Sequence, residues 1–459
     1  VARLPAPPIA PASSTLAAPR PTLSLQDAIA LIVGTVIGVG IFRTPSPVAT
    51  FAGSETVVVL AWIAGGVISL LGALCYAELT SSYPHPGGDY HFLWRAYGPR
   101  LSFLFGWARI SVIQPGSIAL LCFVLGDYVA ALLPLGEFGP AICAALAIAL
   151  LTGLNVLGIR QSKTTQNVFT VLEVLGVLLV AAAGLMISAA PPASNVTSAI
   201  TPSGLGLVMV FVLLTYGGWN EAAYISAEVR DPARNMVRAL VVSIIAVTVL
   251  YVGLNLVYLR ALGLQGTAAS QAVAADLLAR AMGPAGAGIM GLIVAIAALT
   301  SANAAVLTGA RSAFALGRDV PAFRFLGHWN AGTGTPANAV LVQGAVALAL
   351  VVLGALARRG FETMVEYTAP VFWFFFLLTV ASVIVLRRSD PDRHRPFRVP
   401  GYPVTPIIFC VVAAYLFYSS VRYAGVGAVV GLVVLAIGVL VMRLTTGSSA
   451  GRNQGETSS

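Results

Sequence analysis

Glycines interrupt two apolar stretches about 180 residues apart, offering bare peptide groups rather than side chains as the binding chemistry. The first reads Ala30-Leu-Ile-Val-Gly34-Thr-Val-Ile-Gly38-Val-Gly40-Ile-Phe42, the second Phe211-Val-Leu-Leu-Thr-Tyr216-Gly217-Gly218-Trp219-Asn220. Glycine weakens a helix by about 1 kcal/mol relative to alanine. Unwound backbone at membrane depth is tolerated only where it lines a cavity or meets a ligand. Matched interruptions in two halves of a membrane chain therefore point to a transporter's binding site. Close helix packing through small residues is the competing reading of any one such segment.

Among side chains, Glu173 stands out because it lies about ten residues into an apolar stretch, near the middle of the bilayer. An intramembrane carboxylate costs at least about 2.5 kcal/mol on insertion scales, which makes it a functional candidate. It is expected to take up a proton or help hold a cation, with Thr300 and Ser301 nearby. A structural ion pair with Arg109 is the alternative. Glu78 and Glu228 end apolar stretches beside basic loops and are read as gate or structural ion pairs. Glu221, just past the second interruption, and Arg43, just past the first, are candidates for a vestibule, with a snorkelling arginine as the other reading of Arg43. His85, His91, His328 and His394 are loop-borne and unclustered, so no metal site is expected. Cys75, Cys122, Cys143 and Cys410 lie in apolar stretches without paired spacing and read as inert thiols. No cofactor is expected, and the isolated carboxylates form no catalytic cluster.

These residues need elements that hold them in lipid. The chain of 459 residues is 58% hydrophobic and 9% charged, with mean hydropathy +0.89, far from a soluble composition. The reading is an all-α integral membrane protein with about twelve spans, near 25–51, 55–80, 101–133, 138–157, 164–188, 204–228, 237–260, 285–314, 337–356, 362–387, 404–421 and 425–443. Residues 1–24, rich in proline, alanine and serine, read as a disordered tail, and 444–459 as a second, polar tail. The net charge of +9 is no nucleic-acid signal, because the basic residues sit in short loops rather than on one face. They concentrate in alternate loops, among them Arg95, Arg100, Arg160, Lys163, Arg230, Arg234, Arg387, Arg393 and Arg395. That bias places both termini in the cytoplasm, at a plasma or inner membrane. The interrupted segments then fall in spans one and six, each opening a unit of five (25–188 and 204–387), with 404–443 peripheral. An odd number of spans per unit makes the second an inverted repeat of the first.

Several motifs together resemble the amino acid–polyamine–organocation (APC) superfamily. They are Gly34-Thr-Val-Ile-Gly-Val-Gly-Ile-Phe42, Tyr76-Ala-Glu-Leu79 and Pro84-His-Pro-Gly-Gly-Asp-Tyr90. Tyr216-Gly-Gly-Trp-Asn220, running into Glu228-Val-Arg-Asp-Pro-Ala-Arg-Asn235, is similar to its L-type amino acid transporter branch, of bacterial type. Leu386-Arg-Arg-Ser-Asp-Pro391 with Arg395-Pro-Phe-Arg-Val-Pro-Gly-Tyr-Pro403 is similar to the linker after span ten. The resemblance implies a sodium-symporter-like fold with broken helices one and six, and a free amino acid as substrate.

It also implies a site. The substrate carboxylate would meet the backbone of Gly38, Val39 and Gly40, and the ammonium the carbonyls of Ile37, Leu214 and Gly217. Helix ends supply partial charges of both signs for such a zwitterion. Tyr216, Gly218, Trp219 and Asn220 would form gate or pocket. Relatives often carry serine at Val39, an aromatic gate at Leu214 and lysine at Glu173, where this chain inverts the charge. Asn303 matches a family asparagine and is expected to brace span eight or to bond helix to helix. Animal L-type transporters bond an ancillary glycoprotein through a cysteine in the second outer loop; Pro134-Leu-Gly-Glu-Phe-Gly139 has none, so no disulfide-linked subunit is expected. Asn195-Val-Thr197 is a glycosylation sequon, read as chance. The expected function is secondary transport of neutral amino acids by proton symport or exchange. A polyamine or other organocation carrier, a channel and a membrane enzyme are the alternatives.

Overall fold

A computed structural model describes residues 20–132, 136–190, 202–270, 272–357, 360–423 and 426–455. The sequon at 195–197, most of the N-terminal tail and Pro134-Leu135 lie outside them. Helices dominate the described residues, and eleven are long and apolar enough to cross a membrane. Numbered as spans one to eleven, they are Leu25–Arg43, Glu55–Ser82, Pro99–Ala130, Gly139–Leu157, Ser162–Met186, Gly204–Ile225, Pro232–Ala269, Gly288–Asp319, Ala337–Leu356, Tyr367–Ser389 and Val404–Arg422. The expected twelfth is represented by a shorter apolar helix, Gly431–Leu444. Leucines and valines such as Leu146, Leu150, Val249 and Leu356 stand exposed on the outside of the bundle. An apolar surface this extensive is stable against lipid and not against water.

Span one starts where Ser24 caps it. The Ser24 hydroxyl accepts from the Asp27 N–H at 3.2 Å while the Asp27 carboxylate accepts from the Ser24 N–H at 2.9 Å, a reciprocal capping box. The same carboxylate anchors span five through Lys163 at 3.1 Å and Asn167 at 2.8 Å. Close approach of the two spans rests on Gly34, where a Cβ would run into the Thr170 hydroxyl and Thr300. The helix-packing reading therefore holds for Gly34.

Two helices outside the membrane spans were not foreseen. Asp89–Tyr97 bridges spans two and three and buries Asp89, Tyr90, Phe92 and Leu93. Val273–Met282 precedes span eight and buries Val273, Ala274, Leu277 and Leu278.

Candidate functional site

Both interruptions are real, and they differ in kind. Span one is helical over Leu25–Val36, turns at Ile37 (φ −73°, ψ 64°), and resumes as Gly40–Arg43, continued by Pro45–Ala52. Span six is helical over Pro202–Thr215, turns through Tyr216-Gly217-Gly218, and continues as a tighter 3₁₀ helix, Trp219–Ile225. Gly218 takes φ +108°, and a Cβ there would press on the Thr35 carbonyl oxygen at 2.8 Å. Only glycine fits both that backbone and that contact.

The two turns lie against each other and share a fastener. The Tyr251 hydroxyl, from span seven, donates to the Val36 carbonyl at 2.6 Å and lies 3.3 Å from the Thr215 carbonyl. The last carbonyls of both helical halves thus converge on one buried hydroxyl. Its ring is held by Trp62 and Tyr216, with centroids 5.6 and 5.0 Å away. Nothing in the sequence marked Tyr251, since a tyrosine in an apolar span looks like any core aromatic.

Around the first turn the Gly38 N–H donates to the Val36 carbonyl at 2.7 Å, so its backbone is already engaged. Val39 and Gly40 follow it, partly exposed, at the start of the resumed helix. At the second turn Gly217 and Gly218 are partly exposed and Leu214 is 51% exposed. The Leu214 carbonyl accepts from the Gly217 N–H at 3.2 Å. The aromatic candidates point elsewhere. Tyr216 is fully buried, its hydroxyl donating to the Trp62 carbonyl at 3.0 Å. Trp219 packs among Tyr76, Phe376 and Phe409, and Asn220 is buried beside it in the chain.

On the face where span one begins, here called the N-terminal face, buried ion pairs close the bundle beneath the site. Leu23 pairs with the extended segment that follows span six, its N–H donating to the Glu228 carbonyl at 2.8 Å and its carbonyl accepting from the Arg230 N–H at 2.9 Å. The Glu228 carboxylate grips Arg311 with both oxygens, and the pair is buried. Glu78 likewise takes Arg387 in a two-pronged pair, 2.8 and 2.5 Å, and accepts from the Val399 N–H at 2.7 Å. The ion-pair reading of both glutamates holds.

Three expectations change. Arg109 does not serve Glu173; it pairs with Glu221 at 2.6 Å, which also accepts from Gln114 at 3.3 Å and from Thr308. Span three carries a π-helical turn over Arg109–Ile113, whose extra residue turns the arginine inward, a placement helical periodicity does not anticipate. Glu221 is therefore a buried ion-pair member rather than a vestibule residue. His85 and His91, expected apart, stack at 4.2 Å. Among the described residues no group of three ligand-type side chains forms a metal site.

Glu173 is fully buried, and neither of its carboxylate oxygens has a hydrogen-bond partner. The Thr300 hydroxyl turns back to the Ile296 carbonyl at 2.7 Å, and the Ser301 hydroxyl donates to the Gly34 carbonyl at 3.2 Å. Asn303 fastens helix to helix, accepting from Asn155 at 2.9 Å and donating to Gln166 at 3.0 Å.

Two interrupted spans meeting inside a helical bundle, closed on one face by paired charges, have the architecture of a membrane transporter. The match to a family model for amino acid permeases runs over residues 23–449, and the chain belongs to that family. Among its relatives is the b(0,+)-type amino acid transporter 1 of Mus musculus, 32% identical over 408 residues, 87% of this chain and 82% of that protein. The Homo sapiens protein of the same name is 31% identical over 408 residues, again 87% of this chain and 82% of that protein. The large neutral amino acids transporter small subunit 2 of Mus musculus is 32% identical over 433 residues, 91% and 80% of the two chains.

Proposed function

We propose that this permease carries neutral amino acids by alternating access, as a proton-coupled symporter or an exchanger, in a plasma or inner membrane with both termini in the cytoplasm. The observation that carries the reading is the meeting of two interrupted spans, partly exposed at the turns and sealed on the N-terminal face. A zwitterion seated there would place its carboxylate at Gly38, Val39 and Gly40. With the Gly38 N–H turned to Val36, Val39 and Gly40 supply the donors. Its ammonium would meet the carbonyls of Ile37, Leu214 and Gly217. Trp219, sunk among Tyr76, Phe376 and Phe409, would brace the second turn from behind rather than act as a lid, with buried Tyr216 and Asn220 beside it and Gly218 setting the shape of the turn.

Selectivity for uncharged side chains is supported by the Arg109–Glu221 pair. Those opposite charges neutralise each other behind the second turn and offer no counter-charge to a substrate. Coupling is assigned to Glu173. A fully buried carboxylate with no donor is held at high cost as an anion, and an exchangeable proton or cation relieves that cost. Thr300, Ser301 and Asn303 hold span eight against span one and span five beside it. The two units 25–188 and 204–387 are read as inverted repeats that rock about this site, with 404–443 at the periphery. No ancillary subunit is needed in this reading.

The test is uptake into proteoliposomes with a competition panel of the twenty amino acids, with and without a proton gradient. Competition by neutral amino acids and counterflow are expected. Uptake blocked only by cationic amines would instead establish the organocation carrier.

A further inference from the structure

Beneath the second turn, on the N-terminal face, one guanidinium pairs with one carboxylate and lies within electrostatic reach of a second. Glu221 from span six holds Arg109 from span three, and Asp89, from the short helix between spans two and three, completes the group. Tyr224 links them: the Arg109 guanidinium lies over its ring at 3.7 Å, and its hydroxyl lies within electrostatic reach of Asp89. Asp89 Oδ2 accepts from the Tyr76 hydroxyl at 3.0 Å, whereas Oδ1 has no partner. Asp89 is 3% exposed, Arg109 1% and Tyr224 0%. With both acids ionised, the cluster carries an uncompensated negative charge away from water, which is costly. One proton balances it.

We infer that Asp89, Glu221, Arg109 and Tyr224 form a proton-binding site, separate from Glu173, whose occupancy is linked to closure of the N-terminal face. The site draws on four elements: span three, span six, span two through Tyr76, and the helix bearing Asp89. Alternating access has to move these past one another, and water entering on opening removes the need for the proton.

The surroundings leave Asp89 as the group that answers to pH. Burial pushes its carboxyl up to about 7, with Glu221 adding to the rise and Arg109 and Tyr76 opposing it. His85, in the loop before that helix, and His91, within it, are held down, to about 4 and about 3, by burial first. They stay neutral through the physiological range. From the elements packed against Asp89, Arg311 is engaged by Glu228, Arg387 by Glu78, and Arg95 by Asp390 at 2.8 Å. Asp319 lies beside Tyr90, and Thr379 of span ten beside Tyr76.

The sign follows from the raised carboxyl. The closed form binds the proton up to about pH 7, and the hydrated open form releases it, as an ordinary aspartate does, above about pH 4. Between those limits the closed form holds more protons, so rising pH favours opening; above about 7 the dependence levels off.

This inference rests on the transporter reading, and two readouts separate their failures. The first is counterflow of labelled leucine in proteoliposomes at equal pH on both sides, from pH 5.5 to 8.5. The second is labelling of Cys75 by N-ethylmaleimide, with the other cysteines replaced by alanine, taken as a ratio to the labelling of a small free thiol at each pH. Cys75 is fully buried near Glu78 and Arg387 on the sealed face, so its labelling reports opening without any substrate. Both readouts are expected to rise several-fold towards pH 7.5. Asp89→Asn should flatten the counterflow profile, and Glu173→Gln should leave the labelling midpoint where it is.

Glu221→Gln should move the midpoint to lower pH and Arg109→Gln to higher pH, opposite shifts that a merely structural role does not produce. They carry the test if Asp89→Asn does not purify folded. A wild-type labelling ratio flat in pH, or Glu221 and Arg109 variants with unmoved midpoints, overturns the site. Absent counterflow with pH-dependent labelling supports the site and counts against amino acid transport instead.

Discussion

Replacing Tyr251 by phenylalanine removes a single oxygen from the point where the two interrupted spans meet. The ring stays packed between Trp62 and Tyr216, so no cavity opens and the cost is that of hydrogen bonding alone. Two carbonyls are affected unequally. Val36 loses a 2.6 Å bond but keeps the one from the Gly38 N–H, and Thr215 loses a weaker contact at 3.3 Å. A net hydrogen bond contributes about 0.5–1.5 kcal/mol; Val36 keeps a donor and the lost contact to Thr215 is long, so about 1 kcal/mol is expected. That energy holds the two turns in register, and the adjoining Ile37 and Gly217 carbonyls are the proposed ammonium ligands. Released from register, the site should bind substrate about fivefold more weakly, since 1.4 kcal/mol corresponds to tenfold. The assay is KM for uptake of a neutral amino acid into proteoliposomes, beside the thermal midpoint of the purified protein. A fivefold rise in KM with a nearly unchanged midpoint is expected. A lowered midpoint with unchanged KM would refute the reasoning, because Tyr251 would then only pack.

Gly218→Ala forces a Cβ onto a left-handed backbone and against the Thr35 carbonyl, so a loss of about 1–3 kcal/mol in stability and of most uptake is expected; uptake at wild-type rates in folded protein would show the turn is free to rearrange. Arg311→Gln strands the buried Glu228 carboxylate at a cost of about 3–5 kcal/mol, which should open the N-terminal face and raise Cys75 labelling; unchanged labelling would separate that pair from the seal. Glu173→Gln should abolish acceleration of uptake by a proton gradient while sparing counterflow, and a retained gradient response would remove Glu173 from coupling. Rising pH from 5.5 to about 7.5 should speed counterflow as Asp89, raised to about 7 by burial, gives up its proton; a rate that falls across that range would reverse the assigned sign.

The sequence by itself determined the membrane class, most of the spans and the place of both interruptions. Those rest on local properties: about twenty apolar residues span a bilayer wherever they pack, and Gly38, Gly40, Gly217 and Gly218 loosen a helix whatever its neighbours. It also marked Glu78, Glu228 and Glu173, because a carboxylate in or at the edge of lipid is conspicuous in one dimension. Partners were another matter. Arg109 reached Glu221 and not Glu173 because a π turn in span three rotated it, and rotation about a helix axis is invisible in hydropathy. Tertiary packing alone sank Tyr216 and Trp219 into the core, set the Tyr251 hydroxyl across both turns, and folded Asp89 under Tyr76 and Tyr224. Which groups meet, and so which charges are balanced, depends on contacts between separate elements, up to 215 positions apart for Val36 and Tyr251, and no local pattern encodes them.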